Sequence, residues 1–268
     1  MFKYFLAPLE DYTGPALRKI CFDNGADLTF SEMARVEGID RNNKPTLAKI
    51  TPIDNTPVEV QLLASNEEQL TKFISSFKPF DGFTGFNLNL CCPSTNITKF
   101  GRGAAMVRRV DKTNKLIKII QKENHPVSLK ISLGLNSFEK ENKVYLDSIN
   151  QTNADYYIVQ TKTAAQKSGE EYDYSVLNEC VDTGKTIIAN GNIDTKEKVD
   201  QIKKIGCAGI MIGKSAVINP SIFNLFKEQE VKSIKDITTE YEILSKKYGE
   251  NEKYVSNFLN VQKTKKFY

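Results

Sequence analysis

Tryptophan is absent from this chain of 268 residues, and histidine occurs once, as His125. A charge-relay hydrolase needs a histidine base, and a histidine-rich metal centre needs several imidazoles. The lone residue, in "KENHPVSLK" just ahead of a strand, argues against both and reads as structural. No apolar run approaches the roughly 18 residues of a membrane span. The opening "MFKYFLAPLEDYTG" lacks the apolar core and small-residue cleavage site of a secretory leader. Five cysteines, at 21, 91, 92, 180 and 207, are odd in number and irregular in spacing. Neither a disulfide framework nor a Cys-x-x-Cys zinc or redox site fits them. A reduced, cytoplasmic protein without membrane or metal is expected. The net charge of +4 is too small to name an acidic partner.

What is present is periodic. Short apolar runs recur at 3–8, 28–33, 58–63, 85–90, 127–133, 155–160, 186–191 and 209–214. Each has strand length, and helix-length segments lie between them. "NEEQLTKFISSF" starts with Asn66 as a cap and acidic residues in its first turn. "DTKEKVDQIKKIG" ends on Gly206, where a C-cap glycine belongs. Eight such repeats predict an α/β fold, a (β/α)8 TIM barrel over residues 1–223. A doubly wound open sheet is the rival. The barrel is preferred because polar residues gather at the C-terminal ends of many strands, where barrel sites form. Residues 34–57 read as a long polar loop after the second strand. Residues 224–268 read as a short helical C-terminal extension of two or three helices.

Chemistry concentrates at the strand tips. Asn190, Gly191 and Asn192 follow the seventh strand, and Gly213 and Lys214 follow the eighth. Two adjacent loops of this kind suit a phosphate cradle, although tight turns explain each one separately. Lys130 interrupts an apolar strand and Gln61 interrupts another. Either can face a ligand from inside the barrel, or the amine can reach water and the amide can pair with backbone. In "GFNLNLCCP", Phe86, Leu88 and Leu90 share one face and Asn87 and Asn89 the other. Asn89, near the tip, can read a base edge. Pro93 disfavours helical geometry at Cys92, holding that thiol extended at the rim. A neutral thiol can donate a proton without any histidine. Alternation by itself favours Cys91 as the inward thiol. Downstream, Lys99 and Arg102 can meet a polyanion or form a solvated face.

These residues resemble those of a known family, the flavin-dependent tRNA-dihydrouridine synthases, over roughly residues 5–223. "NLCCPSTNITKFGRGAAMV" is similar to the family's most specific signature, Asn-x-Gly-Cys-Pro followed by Lys-x-Gly-x-Gly-Ala. "LAPLEDYTGPALRKICFDNGADLTFSEM", "VQLLASNEEQL", "LKISLG", "NGNI" and "MIGKSAVINPSIF" resemble its other motifs. The resemblance implies bound FMN, NADPH as reductant, and tRNA as partner. It makes Cys92 the acid that protonates C5 of a uracil whose C6 receives hydride. Asn89, Lys99 and Arg102 would contact the substrate. Ala7, Pro8, Leu9, Gln61, Lys130 and Gln160 would border the flavin ring. Asn190, Gly191, Asn192, Gly213 and Lys214 would hold its ribityl chain and phosphate. The chain departs from the pattern at Cys91 (family glycine), Gln160 (histidine), Ser132 (arginine) and Lys214 (arginine). Two alternatives remain open: a flavin reductase of a small pyrimidine or enone, and a barrel that binds RNA or flavin without turnover.

Overall fold

A computed structural model describes residues 1–167 and 169–267. Nine strands form one sheet: β1 (Lys3–Leu6), β2 (Thr29–Phe30), β3 (Ala34–Arg35), β4 (Val58–Leu63), β5 (Phe83–Leu90), β6 (Val127–Ser132), β7 (Tyr157–Gln160), β8 (Ile187–Asn190) and β9 (Gly209–Ile212). The hydrogen-bonded order is β1-β9-β8-β7-β6-β5-β4-β2, all parallel, with β3 also paired to β4. A parallel bridge between Phe5 and Leu28 joins β1 to β2 and closes the ring. The fold is the expected (β/α)8 barrel, each main strand lying within its apolar run except β5, which starts two residues earlier at Phe83.

The helix signals also hold. Asn66 accepts from the Gln69 N–H at the start of the helix Glu67–Ser76, and Gly206 closes Lys196–Ile205 in the left-handed conformation. The loop expected over 34–57 is instead ordered. It holds β3 and two short helices, Val36–Asp40 and Lys44–Ile50. Its polar composition hid a local cap, because the Asn43 side chain accepts from the Thr46 N–H.

Alternation sorts each strand into two environments. Outward residues such as Phe86, Leu88 and Leu90 pack against helices. His125 stacks edge-on with Phe77, Phe83 and Phe86 on that outer side, a packing role. The barrel interior is split. From β1, β2, β7, β8 and β9 it receives an apolar cluster of Phe5, Ala7, Phe30, Ile158, Ile188 and Met211. From β4, β5 and β6 it receives Glu59, Gln61, Asn87, Asn89, Ser128 and Lys130, all buried.

Beyond the barrel, helix Ile234–Tyr248 folds back onto helix Pro15–Asp23, and helix Glu252–Thr264 packs on Ile234–Tyr248 and on Lys214–Ile218. Tyr241 stacks on Phe258 at 4.0 Å, and both are fully buried in the outer core. Helix Pro15–Asp23 has no side-chain cap of its own, its N-cap being Gly14. Glu250 supplies one, accepting from the Ala16 N–H at 2.8 Å. A Cβ on Gly14 would meet that carboxylate oxygen at 2.4 Å, so the glycine makes the approach possible. Tyr268 of the expected extension lies outside the described residues.

Because extension and barrel share one core, Phe258→Ala should lower the unfolding free energy by about 3–5 kcal/mol. Urea denaturation followed by circular dichroism and by tyrosine fluorescence should show one coincident transition.

Candidate active site

The barrel mouth is built where strand tips bring inward residues together. Register places Asn89 beside Lys130 and Ser132 beside Gln160, which in turn lies beside Asn190. At the β1–β9 seam, Gly213 lies against Ala7 and Leu9. Gln61, Asn89, Cys91 and Lys130 form one bonded group. Asn89 Nδ2 donates to Gln61 Oε1 at 2.9 Å, and Lys130 Nζ donates to Cys91 Sγ at 3.1 Å.

Asn89 has a second task. Its Oδ1 accepts from the backbone N–H of Cys91 (3.1 Å) and of Cys92 (3.0 Å). The carbonyl is thereby committed to seating the turn that carries both thiols. Of its two amide hydrogens, one goes to Gln61, leaving one for a ligand.

Alternation runs one residue beyond the strand. Cys91 follows Asn87 and Asn89 inward and is 6% exposed, while Cys92 is half-buried at the rim. Burial raises the Cys92 thiol above its ordinary value of 9.0, with a further rise from Cys91. The Ser94 N–H and the charges of Lys130 and Arg35 oppose that rise. The thiol is therefore protonated at neutral pH, with the Lys130 and Arg35 charges placed to stabilise a thiolate.

The glycine-spaced turn after Pro93 explains itself structurally. Gly103 has φ +56°, and a Cβ there would meet the Cys92 carbonyl at 2.6 Å. The Ala104 N–H donates to that same carbonyl at 3.1 Å. "GRGAA" is thus the seat beneath Cys92. Lys99 is exposed nearby, over the Phe100 ring. Arg102 instead turns back to pair with Glu37 of helix Val36–Asp40.

On the opposite side, Asn190 Nδ2 donates to the Met211 carbonyl at 2.8 Å, tying β8 to β9. Asn192 is exposed with φ +47°, and Lys214 opens the helix Lys214–Ile218. The close approach that Gly191 permits is made by the Tyr172 ring, which lies 2.2 Å from where its Cβ would be. A groove of about 900 Å³ lies beside this wall, lined by Tyr172, Asp173, Tyr174 and Asn192 among others.

Two residues escaped the sequence reading. Lys162 has its pKa lowered by burial, then by the charges of Lys214 and Lys130. Lys130, Lys162 and Lys214 therefore converge electrostatically on one region. Lys162 sits two residues past Gln160, the inward position, so period two could have found it. Arg35 left no signal, because only the pairing of β3 with β4 carries it toward Cys92.

A family model described as Dihydrouridine synthase (Dus) matches residues 5–268. A probable tRNA-dihydrouridine synthase of Helicobacter pylori strain J99 is 28% identical over 82% of this chain and 68% of its own length. Another, of Aquifex aeolicus, is 25% identical over 84% and 72%. Among solved structures, a morphinone reductase variant in complex with tetrahydroNAD superposes with a TM-score of 0.56 at 11% identity, covering 89% of this chain and 90% of that one. The old yellow enzyme of Trypanosoma cruzi gives 0.52 at 11%, covering 89% and 91%. At such identity these structures establish the barrel fold. With a protonated thiol at the mouth and the family match spanning nearly the whole chain, this protein belongs to the dihydrouridine synthase family.

Proposed function

We propose that the protein reduces the C5–C6 double bond of uridine in tRNA, with FMN as the flavin that the barrel-mouth residues would hold and NADPH as reductant. The observation that carries this reading is the protonated Cys92 thiol at the rim, above an interior that ends in Gln61, Asn89 and Lys130.

The residues present fit a flavin. Amides of Gln61 and Asn89 offer donors and an acceptor to a ring edge with carbonyl and N–H groups. Converging charges of Lys130, Lys162 and Lys214 suit a phosphate and a ring that gains negative charge. Ala7, Leu9 and Gly213 form a smooth wall at van der Waals spacing. Tyr172 covers Gly191, so a phosphate is better met from the Asn192, Gly213 and Lys214 side. When bound, the flavin supplies hydride to C6.

The protein's own groups do the rest. A stacked base must leave its helix to reach a site inside a barrel mouth. The remaining Asn89 N–H orients it. Cys92 delivers its proton to C5, and Lys130 and Arg35 stabilise the thiolate formed. Lys99 stands exposed beside the turn to contact backbone phosphate, whereas Arg102 braces helix Val36–Asp40 through Glu37. The missing histidine at Gln160 and arginine at Ser132 are offset by Lys162, a cation entering the same region from β7's loop.

Cys92→Ala should lower turnover about 10²–10⁴-fold, the usual contribution of a general acid, while flavin absorbance persists. Cys91→Ala should lack that loss; equal loss in both would assign the wrong thiol. Since the acid must be protonated, the alkaline limb of the rate should lie above 9.0, the ordinary value that burial raises. A separate check concerns Lys162→Met, which should weaken FMN binding about 10-fold, as expected for one charge-assisted hydrogen bond. Fluorescence quenching of added FMN measures it.

A further inference from the structure

The barrel interior holds a carboxylate that the proposed chemistry does not use. Glu59 is 4% exposed and sits in the N-terminal half of β4, away from the mouth. Its Oε1 accepts from the Tyr156 hydroxyl and its Oε2 from Ser128 Oγ at 2.5 Å. Ser128 Oγ accepts from Asn87 Nδ2 at 2.7 Å. Asn87 Oδ1 accepts from Gln61 Nε2 at 2.8 Å. Gln61 Oε1 accepts from Asn89 Nδ2, and Asn89 Oδ1 accepts from the Cys91 and Cys92 N–H groups. One unbroken chain thus runs from Glu59 to the turn bearing both thiols, and every donor in it points toward Glu59.

Both ends demand this sense independently. An ionised carboxylate can only accept, and backbone N–H groups can only donate. Three carboxamides in between follow: each presents its nitrogen toward Glu59 and its oxygen toward the mouth. We propose that Glu59 is a positioning residue of the active site, its ionised carboxylate setting the direction of the amide chain that holds Asn89 against the Cys91–Cys92 turn.

Protonation acts on the chain through charge. A neutral Glu59 gives its hydrogen to the Tyr156 hydroxyl, which can accept it, while Oε2 goes on accepting from Ser128. The chain keeps its direction but loses the charge-assisted bond at its foot, and with it the polarisation that strengthens each link up to Asn89, which loosens the Asn89 grip on Cys91 and Cys92. Burial pushes the Glu59 carboxyl up to about 7, with the hydroxyls of Ser128 and Tyr156 opposing and the Asp155 charge adding to the rise. In register beside it lie Phe30 on β2 and Gly85 on β5, and Tyr156, which bonds it, packs on Phe5. Tyr156 is partly exposed, which gives the proton a way to water. The turn should therefore tighten as pH rises through neutrality, whereas Cys92 itself titrates above 9.0.

The catalytic consequence rests on the function proposed above, but the test needs neither flavin nor tRNA. ¹H–¹⁵N spectra of the full chain are followed through neutral pH. Backbone amides of Cys91 and Cys92 and the Asn89 carboxamide should shift together with one midpoint near 7. Glu59→Gln should abolish the transition. Ser128→Ala, which cuts the chain while leaving the carboxylate, should flatten the Cys91 and Cys92 response. His125→Asn, altering the chain's one imidazole outside the barrel, should leave it intact. Amides flat in the unaltered protein, a midpoint surviving Glu59→Gln, an unchanged response in Ser128→Ala, or loss in His125→Asn would each overturn the proposal. In the flavin-loaded protein, kcat for tRNA should gain an acidic limb at the same midpoint that Glu59→Gln removes, with KM unmoved. Spectral shifts as expected in a protein inactive on uridine would sink the functional reading and leave the positioning role standing.

Discussion

The Asn89 carboxamide is the contact on which the site depends. Its oxygen takes two backbone N–H groups from the Cys91–Cys92 turn and its nitrogen ties that turn to Gln61. Pro93 keeps Cys92 out of helical geometry, and Gly103 lets the following turn press against the Cys92 carbonyl. A thiol on an unsupported loop would wander by more than the fraction of an ångström that proton transfer tolerates. Here three separate restraints hold it, and all belong to the one stretch from 89 to 104.

That contact is affordable only because the barrel interior is divided. A buried polar group without a partner costs roughly 1–3 kcal/mol, and a barrel filled evenly with amides and aliphatics would strand many. Segregation avoids this. The β4–β5–β6 side contributes polar groups that satisfy one another in series, while the remaining strands contribute Phe5, Phe30, Ile158, Ile188 and Met211. The polar half leads to the mouth and the apolar half gives it a rigid wall. The C-terminal helices complete the support, since Glu250 caps helix Pro15–Asp23, whose N-terminus follows the loop after β1.

Electrostatics at the mouth follow from crowding of one sign. Lys162 loses proton affinity because Lys214 and Lys130 share its neighbourhood. Holding like charges together is unfavourable until an anion arrives, so binding of an anionic ligand relieves the repulsion that folding built in.

Period-two alternation and helix-length spacers determined the barrel, the strand runs and the inward set Gln61, Asn89 and Lys130, because backbone geometry ties side-chain direction to sequence parity. The order of motifs around "NLCCPSTNITKFGRGAAM" determined the family. Local rules reached no further, since they do not say which inward groups meet. Arg102 pairs with Glu37, from a segment whose polarity resembled a loop and gave no sign of that partner. Tyr172 fills the space over Gly191 from a stretch with no periodic signal. Glu59 stood in plain view in "VEVQLL", yet its significance required Ser128 and Tyr156, distant in sequence by 69 and 97 positions. Only closure of the ring brings those strands face to face. Whether a buried carboxylate is an isolated cost or the anchor of a chain is therefore a property of the tertiary structure alone.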